Sequence, residues 1–354
     1  MNYNLSHTSP KNEISEKIID LRSDTVTRPS RAMIACMSQA KVGDDVYGDD
    51  PSVNELQEKV ANLLSKEAGL FVSSGTQSNF CAILSHCQRG EELLTGENYH
   101  VYCDEAGGAA VLGSVMMDPL KTNADGSIPV QEIKNAKKPD DSHCPITKLL
   151  SLENTVQGKV QNVEQINSCA TMAKKLGLAV HMDGARLMNA SVKLKIPANE
   201  LVSKMDSVSL CLSKGLGAPV GSVLVGSKEF IKRAHRIRKL AGGGLRQSGV
   251  LASAGLFALE NNVERLVVDH KHANYLAERL VEIPELNVNH NEVQTNMVFF
   301  TIANSLLPKL KKYLLGHGIL INADCNPVRL VTHLDLDTTK IDNFVRAVQS
   351  FFSR

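Results

Sequence analysis

The sequence predicts an α/β protein: a larger domain built on a mostly parallel sheet, followed by a smaller α+β domain. Three observations point there. Short apolar strands alternate with helical stretches through the middle of the chain, the pattern that builds parallel sheets. Several of those strands end in polar residues, as they do where an open α/β sheet binds a ligand. The chain has 354 residues, more than one core ordinarily holds, which argues for two domains.

The elements follow in order. Residues 1–18 form an N-terminal extension with two acids, no arginine and no apolar core, which fits neither a signal peptide nor a transit peptide. The larger domain is placed at 19–262. "EAGLFVSSGT" (67–76) reads as a buried strand entering a Ser/Gly turn, and "QSNFCAILSHCQ" (77–88) as the helix after it. "KLLSLENT" (148–155) is a second strand with a polar end. "VEQINSCATMAKKLG" (163–177) has the apolar spacing of an amphipathic helix closed by Gly177. "LAVHMDGAR" (178–186), "DSVSLCLSKG" (206–215) and "VGSVLVG" (220–226) are three more strands. "SKEFIKRAHRIRKLA" (227–241) reads as a helix with its basic face in solvent. From 263 to 354 the pattern changes to a long helix (263–282), strands at 295–302 and 327–333, and a final helix at 338–352.

Composition excludes several classes of function. The formal net charge is +1, with 39 basic and 38 acidic residues, so no global field draws nucleic acid or a membrane. Aromatic residues make up 4% and there is no tryptophan, which disfavours a base-stacking surface. No apolar run is long enough for a transmembrane helix. The eight cysteines form no CxxC pair, so we expect reduced thiols, no metal site and a cytoplasmic location.

The chemistry-bearing residues cluster at strand ends. Lys214 lies between the apolar run Val208–Leu212 and a glycine-rich turn. A desolvated lysine amine is a nucleophile, and pyridoxal phosphate uses one as a Schiff base with an Asp or Arg near its pyridine nitrogen. Asp183 ends a strand and supplies such a carboxylate, or else caps a helix or pairs with Arg186. Ser74, Gly75 and Thr76 open a helix, where backbone amides bind phosphate, or form an ordinary cap. "GGGLRQSG" (242–249) fails the dinucleotide fingerprint because Gln247 stands at the third glycine.

Together the blocks "DLRSDTVTRPS" (20–30), "VGDDVYGDDPSVNELQ" (42–57), "SSGTQSN" (73–79), "EAGGAAVLGSV" (105–115), "LSLENT", "HMDGARLMNA" (181–190), "CLSKGLGAPVGSVLVG" (211–226), "GGGLRQSG" and "VRLVTHLD" (328–335) resemble the threonine aldolases of the fold-type-I pyridoxal-phosphate enzymes. The resemblance implies the fold-type-I transferase fold, with pyridoxal 5'-phosphate as cofactor. It implies retro-aldol cleavage of threonine or allo-threonine, a β-hydroxy-α-amino acid, to glycine and acetaldehyde. It gives Lys214 the Schiff base, Asp183 the pyridine nitrogen, and Ser74, Gly75 and Thr76 the phosphate, with Arg246 reaching a phosphate from a neighbouring subunit. Ser23, Arg186 and Arg329 grip the substrate carboxylate. His100 stacks on the cofactor near the substrate hydroxyl, and His143 is a second histidine near it. Tyr47 approaches across a subunit interface, while His181 and His333 are structural. The implied assembly is a homotetramer, a dimer of dimers with shared sites. The chain reads "ENTVQG" where many relatives read "ENTHN"; Val156 and Gln157 therefore fall where rate or threo/allo preference is expected to be set. A β-eliminating lyase or aminotransferase, and a non-catalytic pyridoxal-phosphate-binding protein, are the alternatives.

Overall fold

The computed structural model describes residues 18–353, so residues 1–17 of the N-terminal extension lie outside the described residues. These form two compact units: Thr27–Asp269, and the residues up to Val26 together with those from His270 onward. Residues 19–26, expected in the larger domain, group with the C-terminal unit. The reason is pairing: strand β1 (Ile19–Asp20) lies parallel to a strand at Ile319–Leu320.

The larger unit holds seven strands: β2 (Ala68–Val72), β3 (Glu91–Gly96), β4 (Met116–Leu120), β5 (Ile146–Glu153), β6 (Ala179–Gly184), β7 (Ser207–Cys211) and β8 (Ser222–Gly226). They form one sheet in the order β2-β8-β7-β6-β5-β3-β4. Strands β3 to β7 pair in parallel. β8 runs antiparallel to both β7 and β2. β2 therefore points the same way as β3 to β7, and only β8 is reversed. All five positions of β7 and of β8 are buried, as expected where both faces of a sheet are covered. Leu94, Leu150, Val180, Val208, Val223 and Val225 form the middle of the core.

Local sequence explains the covering helices. Gly75–His86 starts because the Ser74 hydroxyl accepts the Gln77 N–H at 3.1 Å, a standard cap. Val163–Lys175 buries Ile166, Cys169, Ala170 and Ala173 on one face, and Gly177 at φ +75° takes the chain out of the helix. Lys228–Leu240 departs from expectation at one position. Lys232, Arg233, Arg236 and Lys239 are exposed, but Arg238 is inside. It pairs with Asp45 at 2.8 Å and donates to the Phe71 carbonyl at 2.7 Å.

The second unit carries β9 (Asn287–Val288), β10 (Met297–Thr301), β11 (Ile319–Leu320) and β12 (Val328–Val331), with β10 central in an antiparallel set β12-β10-β9. Its own core includes Ile19, Leu21, Leu276, Leu280, Phe300 and Phe344.

Close strand contact fixes the geometry near the sheet's carboxyl edge. A Cβ built on Gly184 comes within 2.6 Å of the Ser209 carbonyl oxygen. Gly184→Ala must push β6 from β7, an overpacking defect that costs about 1–3 kcal/mol. Urea unfolding of the variant should show a midpoint lowered accordingly, with unchanged slope.

Candidate active site

Because six of the seven strands share a direction, their carboxyl ends lie on one edge of the sheet. Register then sets neighbours: Val72 opposite Ser222, Cys211 opposite Ser222, Ser209 opposite Asp183, and Asp183 opposite Glu153. Adjacent strands stand about 4.8 Å apart, so residues scattered over the sequence become neighbours. Lys214 follows β7 by three residues in a turn closed by the Gly217 N–H to the Lys214 carbonyl at 2.8 Å. Gly215 is required there, since a Cβ would lie 2.9 Å from Leu266. Lys214 is half-buried, and its ammonium has no hydrogen bond or ion pair among the described residues.

Asp183 is 3% exposed. Its Oδ1 accepts the Ala185 N–H at 2.9 Å, and its Oδ2 accepts from Asn79 Nδ2 at 2.8 Å. The same Nδ2 reaches Glu105 Oε1 at 2.8 Å, and that oxygen also meets His100 Nδ1 at 2.8 Å. One ligand atom each from His100, Glu105 and Asp183 lies within 4.8 Å of the others. His100 opens a short helix, His100–Cys103, and its backbone N–H donates to Glu153 at 2.7 Å.

These contacts shift protonation in defined directions. The hydrogen bond to Glu105 raises the His100 pKa above its ordinary value. Burial raises Glu105. Burial, with Asp183 alongside, pushes the Glu153 carboxyl up to about 8. The Lys214 charge opposes the rise at both His100 and Glu153, which places the amine in the same electrostatic neighbourhood.

The turn Ser74–Gly75–Thr76 opens its helix at this edge, directly after β2. Ser222 Oγ, buried without a partner, lies 3.8 Å from where a Gly75 Cβ would stand. Arg186 is half-buried at the start of helix Leu187–Leu194, three residues after Asp183.

Other expected residues lie elsewhere. His143 precedes β5 in an exposed loop, its side chain 90% exposed and bonded to Asp141 at 2.7 Å. β5 is eight residues long, roughly 25 Å of extended chain, and the cluster lies at its far end. Within one subunit His143 therefore stands away from His100, because the amino end of a parallel strand is the opposite edge of the sheet. Tyr47 is 78% exposed, and Arg246 is exposed and paired with Asp44 at 3.0 Å. Ser23, Arg329 and His333 belong to the second unit. There Ser23 Oγ accepts from Thr25 Oγ1 at 2.9 Å, Arg329 stands opposite Phe299, and His333 Nε2 bonds the Asp20 carbonyl at 2.7 Å. Val156 is 3% exposed and in the main core, where a Cβ on Gly126 would meet it at 2.6 Å. Its side chain thus packs under the turn at Gly126, a core duty that the sequence comparison did not indicate. Asn79 and Glu105 were not singled out from the sequence, although both lie in quoted blocks, "SSGTQSN" and "EAGGAAVLGSV".

Comparison with known proteins identifies the family and the fold. Residues 20–303 match the family model described as beta-eliminating lyase. The chain is 49% identical over 338 residues to a low specificity L-threonine aldolase of Escherichia coli K12, covering 95% of this chain and 100% of that protein. It is 44% identical to low-specificity L-threonine aldolase 1 of Arabidopsis thaliana, covering 91% and 93%. The solved threonine aldolase of Leishmania major shares the fold, with a TM-score of 0.79 at 20% identity over 94% of this chain and 99% of that one.

The raised Glu153 pKa makes a stability prediction for the cofactor-free protein. Unfolded, the carboxyl ionises near 4.3; folded, only near 8. The folded state holds the extra proton between those values, so Glu153's contribution is complete below the lower one and is lost as pH rises towards the upper. Glu153→Gln should flatten that part of the melting-temperature profile, measured by calorimetry against wild type.

Proposed function

Since the chain belongs to the beta-eliminating lyase family, we propose that it is a pyridoxal-phosphate-dependent threonine aldolase, cleaving L-threonine or L-allo-threonine to glycine and acetaldehyde. The observation that carries this reading is the convergence of Lys214, Asp183 and the Ser74–Thr76 helix start at one sheet edge. The donor set fits the cofactor. An unpaired amine suits its aldehyde, a buried carboxylate its pyridine nitrogen, and a helix start beside the unpartnered Ser222 hydroxyl its phosphate.

Bound there, pyridoxal phosphate supplies an electron sink for the pair left on Cα when the Cα–Cβ bond breaks. Lys214 would anchor the cofactor through its amine. Asp183 keeps the ring nitrogen protonated. Arg186 offers a planar fork to the substrate carboxylate. His100, with Nδ1 engaged by Glu105, keeps Nε2 to take the β-hydroxyl proton; the carbonyl forms as the bond breaks, and protonation of Cα completes glycine.

The reading extends to the assembly. Tyr47, Val111, Leu112 and Leu240 are each at least 70% exposed, apolar surface that subunit contact would cover. A homotetramer built as a dimer of dimers gives Tyr47, Arg246 and His143 a route to a neighbour's site. No helix among the described residues is long and apolar enough to cross a membrane. We place the enzyme in the cytoplasm, as proposed from its cysteine usage.

Acetaldehyde release from L-allo-threonine, followed with a coupled alcohol dehydrogenase, tests the reaction. Lys214→Ala should abolish it, and turnover by that variant sinks the assignment. Ammonia with a keto acid in place of glycine marks a β-eliminating lyase or aminotransferase; a cofactor spectrum unmoved by any substrate marks a non-catalytic protein. His100→Phe keeps a flat ring without the proton acceptor and should lower kcat about 10²–10⁴-fold. The base must be neutral, so activity falls as pH drops through the raised His100 pKa. Glu105→Gln removes the cause of that rise, and the acid limb of kcat/KM should move to lower pH.

A further inference from the structure

The hydrogen bonds around Asp183 continue well beyond the residues that face a ligand. Asn79 Oδ1 meets His181 Nε2 at 3.1 Å. His181 Nδ1 meets Ser207 Oγ at 2.8 Å. The same Oγ meets His86 Nε2 at 2.8 Å, and the His86 ring stacks on Phe230 with centroids 4.5 Å apart. Asn79, His181 and Ser207 are each 1% exposed or less. Ser207 begins β7, whereas Asp183 lies near the carboxyl end of β6, so the chain runs inside the protein along the strand direction.

Its polarity has one solution. Burial pushes His181 down to about 3 and His86 down to about 4, so each ring is neutral and carries one N–H. The Asn79 amide nitrogen faces two carboxylates, which accept. Its oxygen therefore faces His181 Nε2, which donates. His181 Nδ1 is then an acceptor, the Ser207 hydroxyl donates to it, and His86 Nε2–H donates to Ser207. Every link has one donor and one acceptor. Turning the Asn79 amide would put its oxygen against the Glu105 and Asp183 carboxylates, acceptor against acceptor.

We propose that Asn79 and His181 are positioning residues for the reaction, which through this chain fix the orientation of the Asp183 carboxylate toward the cofactor's ring nitrogen. The proposal rests on the reading of Asp183 given above. Neither residue touches the substrate. They act by holding Asp183 Oδ2 on one donor, so that ring protonation needs no reorganisation at the moment of bond cleavage. The polar chain serves the carboxylate it ends on.

The test compares wild type, His181→Leu, Ser207→Ala and Asp183→Asn as full-length protein. It measures pyridoxal-phosphate affinity by fluorescence titration of the unloaded protein, the visible spectrum of the bound cofactor, and kcat and KM for L-threonine. His181→Leu should weaken cofactor binding about tenfold, the scale seen when a ligand loses its outer partner. It should shift the cofactor band in the same direction as Asp183→Asn and lower kcat with KM little changed. Ser207→Ala loses one oxygen and almost no volume, and should move the same quantities less. If His181→Leu fails to fold, Ser207→Ala alone decides. A folded His181→Leu, or in its absence Ser207→Ala, with wild-type affinity and spectrum overturns the proposal, even if its melting temperature falls. If Asp183→Asn itself leaves both unchanged, the assignment of Asp183 fails first and the proposal fails with it.

Discussion

A carboxylate buried near the end of a central strand sets the terms for this protein. Asp183 is 3% exposed, and burying a lone charge costs several kcal/mol unless donors meet it. The fold meets it from two directions, the Ala185 N–H and the Asn79 amide. Glu105 and Glu153 stand close by, and burial raises both, with the Asp183 charge adding to each rise. The neighbours respond by holding protons, not by moving away.

A second buried charge has a different task. Arg238 and Asp45 form a pair with side chains 1% and 5% exposed, and the Arg238 guanidinium also holds the Phe71 carbonyl at the end of β2. Around it the segment at 43–50 is strapped to the one at 238–249. Asp45 N–H meets the Arg246 carbonyl at 3.1 Å, and Asp50 accepts the Gly249 N–H at 2.8 Å. The strap presents Tyr47 and Arg246 outward on fixed backbone while their side chains remain exposed. Removing one partner of a buried pair such as Arg238 and Asp45 leaves an uncompensated buried charge, at a cost of about 3–5 kcal/mol.

The sheet strands read from the sequence are mostly apolar, with acids only at or near their carboxyl ends. β7 and β8 are buried at every position and announce themselves. β3 and β4 did not. β3 starts with Glu91 and Glu92, and β4 contains Asp118 and Pro119 at the sheet's edge, where a missing N–H is tolerated. Arg238 was read as a solvent charge because helical periodicity says which face a residue is on, and the buried Asp45 opposite it is nearly two hundred residues away in the chain. His143 entered the reading through the family resemblance alone. Strand direction then put it at the other edge.

The sequence by itself determined the fold class and singled out Lys214, Asp183 and the Ser74–Thr76 turn as strand-end candidates, because each is a local pattern: an apolar run, a glycine turn, a cap. Tertiary structure alone decided which groups bear on Asp183. Asn79, Glu105, His181 and Ser207 come from four separated stretches, and a hydrogen bond depends on distances of a few tenths of an ångström that no spacing along a chain encodes. Register, not order, makes them neighbours.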